Sequence, residues 1–456
     1  MRIVVSVRYA PSGELGPFDA AAYEEALRVP NAEVILLSMG PASASDALLS
    51  LTRLGAARAV LLSDPAFAGS DTLATAYILS LAVRRLAPDL VFCGKKTLVG
   101  DTGQTGAMLA TLWGAPLHSG VIAKEITETG LSVTTRTGKQ ADVTAPALLT
   151  FERTCTLRLP RLRSRLGELS VWSADDLGAD KARCGISGSP TRVFSTTENQ
   201  TGKRKCTFVS RDEIPNIVKN ALQSRRSSPK DLPKSNERLP FVLAIGEAPC
   251  AMAGTVSDRV VSLPLSDPDA LIASIQRLDA PAVLFGSDED SKALAAAVAA
   301  KLSLGLCADC TSLDVKDGRL LMYRPALSGS VIAGVESLTR PALATLRTEE
   351  SGVGEVIVSA GVGVLHEMAR VRAFAEELGA ELCASRRMVD EGEMPYAAQV
   401  GLTGRTVAPP VYIAVGISGA VHHVAGMSRA GTVIAINSDK NAPIFEYADF
   451  GVLEEF

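Results

Sequence analysis

Aromatic residues make up only 5% of this 456-residue chain, too few to suggest stacking platforms for single-stranded nucleic acid. Basic surplus is missing too: the formal net charge is −4, so no global field attracts a polyanion. No uninterrupted apolar run reaches the roughly 18 residues of a membrane span. The opening MRIVVSVRYAPSG reads as strand and turn, without the apolar core and cleavage pattern of a signal peptide. Neither a Ser–His–Asp order nor an HExxH pattern occurs, which leaves no basis for nucleophilic or metal catalysis. The eight cysteines are scattered, and Cys307 and Cys310 share a C-x-x-C spacing. One such pair without a second Cys or His pair makes a poor zinc site, so both read as core residues. Together these absences predict a cytoplasmic protein with reduced thiols. They predict no nucleic-acid partner, no integral membrane segment and no metal.

What is present is a long alternation of strand and helix patterns. The length exceeds one core and predicts two to four domains, and 47% hydrophobic residues suffice for packed α/β layers. Strands are expected at 2–7, 33–38, 59–63 and 89–94, with helices at 18–28, 43–54 and 71–86. Repeated strand–helix units imply parallel sheets of the doubly wound, Rossmann-like kind. Loops after the first, second and fourth strands would then meet at one edge. The fourth leads into Gly100-Asp101-Thr102-Gly103-Gln104-Thr105-Gly106, ahead of a helix beginning near Ala107. Backbone amides and a helix start suit a phosphate there, with Thr102 and Thr105 as hydroxyl donors. A plain helix-capping turn is the competing reading. Residues 195–238 are polar, with one helical pattern at 212–223, and 224–238 (SRRSSPKDLPKSNER) reads as a linker. A second α/β unit follows, with strands at 241–246 and 282–287 and an Ala-rich helix at 291–304.

The last hundred residues carry the strongest signal. VYIAVG (411–416) and TVIAIN (432–437) read as buried strands, and between them lies GISGAVHH. Open α/β sheets bind ligands at the carboxyl ends of their strands. Glycines there let backbone N–H groups approach an anion. The residues alone therefore predict a nucleotide or dinucleotide site without a Walker lysine.

CASR at 383–386, QVGxTG at 399–404, GISGAxxHxAGM at 416–427 and AINxDxxAPIFxxADxG at 435–451 resemble the FAD-binding domain of the electron transfer flavoprotein alpha subunit. The resemblance implies FAD held by Ser385, Arg386, Val400, Gly401, Leu402, Thr403, Ser418, Gly419, Ala420, Val421, His422, His423, Asn437, Asp439, Glu455 and Phe456. Arg386 would lie against the flavin ring, Thr403 near its N5 edge and His423 near the pyrimidine carbonyl. Without the resemblance, Arg386 reads as a surface ion pair. GPFDAAAYEEALR, EVILLSMGP, DLVFCGKKTLVGDTGQTG and APALLTFE are similar to the beta subunit over residues 1–190. That implies a second nucleotide, AMP or in the bifurcating branch a second FAD, beside Ser6, Phe18, Asp19, Met39, Asp101, Thr102, Gly103, Gln104, Thr105 and Gly106. The expected order is a beta-like domain at 1–190, a linker at 191–238, an alpha-like amino-terminal domain at 239–350 and the FAD domain at 351–456.

Four positions depart from the family pattern. Val362 stands where an arginine is usual, which predicts weaker FAD binding. Leu402 replaces a glutamine, and Glu455-Phe456 replace Asp-Leu. The resemblance implies a monomeric redox carrier equivalent to the usual heterodimer. It would take electrons from an acyl-CoA dehydrogenase-like flavoenzyme and pass them to an acceptor oxidoreductase or quinone reductase. Two alternatives stand beside it: an NADH-oxidising, electron-bifurcating flavoprotein with two FADs, and a nucleotide-binding sensor without redox function.

Overall fold

A computed structural model describes residues 1–8, 15–97, 100, 102–127, 130–198, 203–224, 236–246, 249–327, 331–347, 353–402 and 404–456. They form two compact units. The first comprises Met1–Thr196, Ser235–Leu327 and Ala333–Leu346; the second comprises Thr197–Lys234, Ser328–Ile332 and Arg347–Phe456.

The first unit contains a nine-stranded sheet. Its parallel centre runs Ala147–Phe151, Leu90–Gly94, Arg2–Ser6, Glu33–Met39, Arg58–Leu62 and Glu168–Trp172. The apolar runs that predicted Arg2–Ser6, Glu33–Met39, Arg58–Leu62 and Leu90–Gly94 are buried on both faces, as expected of a parallel sheet clad in helices, whereas the edge strand Glu168–Trp172, which no apolar run predicted, is half-buried to exposed. Arg2–Ser6 pairs in parallel with both Glu33–Met39 and Leu90–Gly94, so the loops after the first, second and fourth strands do share an edge. Asp71 caps helix Thr72–Leu86 by accepting from the amides of Leu73 and Ala74, each at 3.0 Å. The helix expected over 43–54 is broken into Ser45–Leu51 with a 3-10 turn on either side. Gly55, at φ 131°, ends the segment.

A second, five-stranded parallel sheet lies in the same unit, ordered Val260–Leu263, Val242–Ile245, Ala282–Phe285, Ala342–Leu346 and Leu306–Cys310. Asp288 caps the Ala-rich helix Glu289–Leu302, which packs on helix Thr105–Trp113. Lys95, at the end of the fourth strand, pairs with Glu289. Thr191–Glu198 is a strand in a four-stranded sheet with Val331–Ser337, Arg319–Ala326 and Ser312–Lys316. The polar composition of this stretch hides it, because most of its residues stay exposed.

The second unit holds a six-stranded sheet, parallel throughout, ordered Thr207–Phe208, Phe450–Leu453, Thr432–Asn437, Val411–Val415, Val356–Ala360 and Glu381–Ala384. Counting from Val356–Ala360, the order is 2-1-3-4-5 with one added edge strand, the doubly wound arrangement. Helix Ile214–Ser224 covers this sheet through Ile214, Val218 and Ala221. Most of 224–238 lies outside the described residues. Among the described residues no helix is long and apolar enough to cross a membrane.

Candidate functional site

In a 2-1-3-4-5 sheet the first and third strands feed loops in opposite directions, which opens a crevice at their carboxyl ends. Here those strands are Val356–Ala360 and Val411–Val415, paired residue for residue. The loops that follow cross in contact. Gly363 N–H donates to the carbonyl of Gly416 at 3.0 Å. A Cβ on Gly361 would sit 2.2 Å from that same oxygen, so only glycine fits. At Gly419, with φ +90°, a Cβ would lie 2.1 Å from the Ile444 amide nitrogen. Ser418, Ala420, Val421 and His422 are exposed along this loop, and Val362 is exposed on its neighbour. Asn437 braces the base: its side chain donates to the Ile417 carbonyl and accepts from the Asp439 amide, both at 2.9 Å. Asp439 in turn accepts from the Asn441 amide.

The strand Glu381–Ala384 delivers Ser385 and Arg386 to the same edge. Arg386 is half-buried and pairs with Asp390 at 3.3 Å, one helical turn on. Beside it, Val400 and Leu402 are buried, and Gly401 approaches the His422 backbone. Leu402 N–H donates to the His422 carbonyl at 2.6 Å. Arg347 donates to the Leu402 carbonyl. Thr403 lies outside the described residues.

The two histidines differ. His422 is exposed, whereas His423 is buried and its Nε2 sits 2.9 Å from the Tyr412 hydroxyl. Burial pulls the His423 imidazole down to about 4, so it is neutral near pH 7. The Tyr412 phenol is pushed well up by burial and therefore stays protonated. The imidazole Nδ1 lies toward the Val400 carbonyl without a well-formed hydrogen bond. Phe456 is taken up by the core: Arg211 stacks on its ring at 4.1 Å and Phe374 meets it edge-on at 5.4 Å. Glu455 is exposed. Glycine-gated loops, a half-buried arginine and a buried, unsatisfied imidazole nitrogen all fit a flavin dinucleotide.

The first unit offers a second crevice, again at a switch point, between Arg2–Ser6 and Leu90–Gly94. Asp19 opens toward it, buried, accepting from the Arg8 amide at 3.1 Å. Burial raises its carboxyl to about 7, against the opposing hydrogen bonds from Arg8 and Gly94. Phe18 is buried beside it, while Ser6 and Met39 are half-buried at their strand ends. Gly103 takes φ 63° and Thr105 opens helix Thr105–Trp113. Thr102 is half-buried, and Gly106 packs tightly against Thr150 and Cys93. Gln104 is buried with both amide atoms unpartnered among the described residues, an arrangement that invites a ligand's donors and acceptors. Asp101 lies outside the described residues.

The electron transfer flavoprotein domain matches residues 3–177 and 254–356, more than half the chain, and the electron transfer flavoprotein FAD-binding domain matches 353–428. The chain is 35% identical over 217 residues to an electron transfer flavoprotein subunit alpha of Thermoanaerobacterium thermosaccharolyticum, covering 38% of this chain and 66% of that one. It is 32% identical over 253 residues to protein FixB of Bradyrhizobium diazoefficiens, covering 45% and 69%. It is 34% identical over 224 residues to the lactate dehydrogenase (NAD(+),ferredoxin) subunit LctC of Acetobacterium woodii, covering 39% and 54%. The chain thus spans between about half and two thirds of the length of these relatives. It belongs to the electron transfer flavoprotein family and contains that family's FAD-binding domain.

Proposed function

We propose that this chain is a one-chain electron transfer flavoprotein, beta-like half first. It takes electrons from a flavin dehydrogenase and hands them to a second oxidoreductase or quinone reductase. The observation that carries this reading is the switch-point crevice of the second unit, where the family's FAD-binding motifs converge. FAD would supply the electron-carrying chemistry there. The chain's own residues bind and tune. The 416–421 loop and Asn437 hold the cofactor, Arg386 sets positive charge beside it, and His423 offers a neutral imidazole. The domain limits we propose are 1–190, 191–238, 239–350 and 351–456, in a cytoplasmic monomer.

A partner surface is supported by the segment 157–166. Leu159 is 87% exposed and Leu162 fully so, among Arg158, Arg161, Arg163 and Arg165. Exposed leucines framed by arginines suit docking on another protein with an acidic, partly apolar face.

AMP is the second nucleotide we favour, because GDTGQTGA resembles the AMP-type loop. The bifurcating reading, with a second FAD in the first unit and NADH as donor, draws support from the likeness to LctC. Denaturing the purified chain and counting released nucleotides separates the readings. One FAD and one AMP per chain support the carrier. Two FADs, with direct reduction by NADH, replace it with the bifurcating form. No flavin leaves only the nucleotide-binding sensor.

A further inference from the structure

We propose that Arg347, which belongs to the second unit just ahead of the FAD domain, is a cofactor-facing cation serving in place of the arginine that Val362 replaces. The inference rests on the reading that FAD occupies the crevice of the second unit. Arg347 follows strand Ala342–Leu346 and is only 8% exposed. Its Nη2 donates to the Leu402 carbonyl, and its Nη1 is buried with no partner among the described residues. The other arginines of this loop cluster have carboxylates: Arg386 has Asp390 and Arg405 has Glu381. No carboxylate pairs with Arg347 in the described residues. A guanidinium cannot shed its proton, so burying one beside a lone carbonyl is costly unless an electron-rich group completes the shell.

The carbonyl that Arg347 holds belongs to a loop fixed from several sides. Leu402 N–H donates to the His422 carbonyl at 2.6 Å, and Gly401 N–H to the Arg405 carbonyl at 3.1 Å. The same loop carries the motif positions Val400, Gly401 and Leu402. The cation is therefore anchored to a fixed loop where the cofactor is expected. The ligand it would take is an anionic or acceptor oxygen of FAD, either on the isoalloxazine ring or on the diphosphate.

The test uses the full chain with Arg347→Gln and Arg347→Lys. Deflavinated protein is titrated with FAD, the midpoint potential of the reloaded flavin is measured, and the FAD-free forms are melted in urea. Arg347→Gln is expected to weaken FAD binding at least tenfold, with Arg347→Lys recovering most of the loss. A fall in midpoint potential in the glutamine variant alone assigns the charge to the ring side. An unchanged potential with the tenfold loss assigns it to the diphosphate. A folded glutamine variant within twofold of the parent in both affinity and potential overturns the proposal. So do equal losses in the two variants together with a lowered urea midpoint, which mark a loop buttress only. Should the glutamine variant not fold, Arg347→Met and Arg347→Lys decide: a tenfold loss of FAD affinity in the methionine variant that lysine largely recovers supports the role, and equal affinities in the two overturn it. A parent chain that takes up no FAD at all defeats the underlying reading instead, and the proposal with it.

Discussion

Asp19 and His423 show how burial sets charge residue by residue. The Asp19 carboxyl is raised to about 7 because desolvation outweighs its hydrogen bonds and the Arg8 charge. A raised carboxyl pKa means that the folded state holds a proton the unfolded state gives up. The stability from that proton is fully present below about pH 4 and is lost as pH rises through about 7. His423 has the opposite sign. Its pKa falls from 6.5 to about 4, so its contribution is present above pH 6.5 and is lost as pH falls toward 4. The two windows overlap and oppose each other, so the parent's pH curve alone will not isolate either. The difference between parent and Asp19→Asn will. Measured by urea denaturation from pH 4 to 8, the parent's stability relative to the variant should decline steadily and level off above pH 7. A flat difference would mean that Asp19 is ionised in the folded chain. Arg8 and Gly94 face this carboxyl, and Cys93 beside it is pushed up to about 12 by burial and by Asp19's charge.

At the level of elements, the helix Ile214–Ser224 matters most. Ile214, Val218 and Ala221 recur at helical spacing, and the polar residues between them face outward. All three enter the core that also holds Val356, Val358, Val411 and Ile413. The helix is therefore a working layer of the second unit, joined to its sheet by the two-residue strand Thr207–Phe208 on the Phe450–Leu453 edge. Ile214 is fully buried, so Ile214→Ala should cost about 2–5 kcal/mol of that unit's stability. Its urea transition should move to lower concentration, while that of the first unit stays in place. A single unchanged transition would show that the helix does not support the sheet.

For the whole molecule, the proposed carrier role requires a surface on which a donor can dock. Leu159, Leu162 and Leu166 are exposed on one arginine-rich segment of the first unit. A carboxylate forced into an interface centre carries a desolvation cost of several kcal/mol unless it is paired. Leu162→Asp should therefore slow electron uptake from a flavin dehydrogenase partner at least tenfold, with flavin content unchanged. Stopped-flow reduction at two salt concentrations checks this. The parent rate should also fall as salt screens the arginines. An unaltered rate in the variant would move the docking surface elsewhere.

Much of this was readable along the chain. Strands such as Arg2–Ser6 and Val411–Val415 are short apolar runs bounded by turn residues. Such periodicities are local, so neighbouring residues suffice to specify them. The glycine loops were legible for the same reason, since a backbone conformation closed to other residues leaves glycine in place. The broken helix at 42–54 and the strand at 191–198 escaped because turn geometry and edge pairing outweigh a weak local pattern. His423's burial against Tyr412, Phe456's place in the core, and the docking of helix Ile214–Ser224 on its sheet were not legible. Nor was the bond from Arg347 to Leu402, whose partners stand 55 residues apart. Each depends on which surfaces meet once the sheets have formed, and contact across such separations leaves no period in the sequence to read.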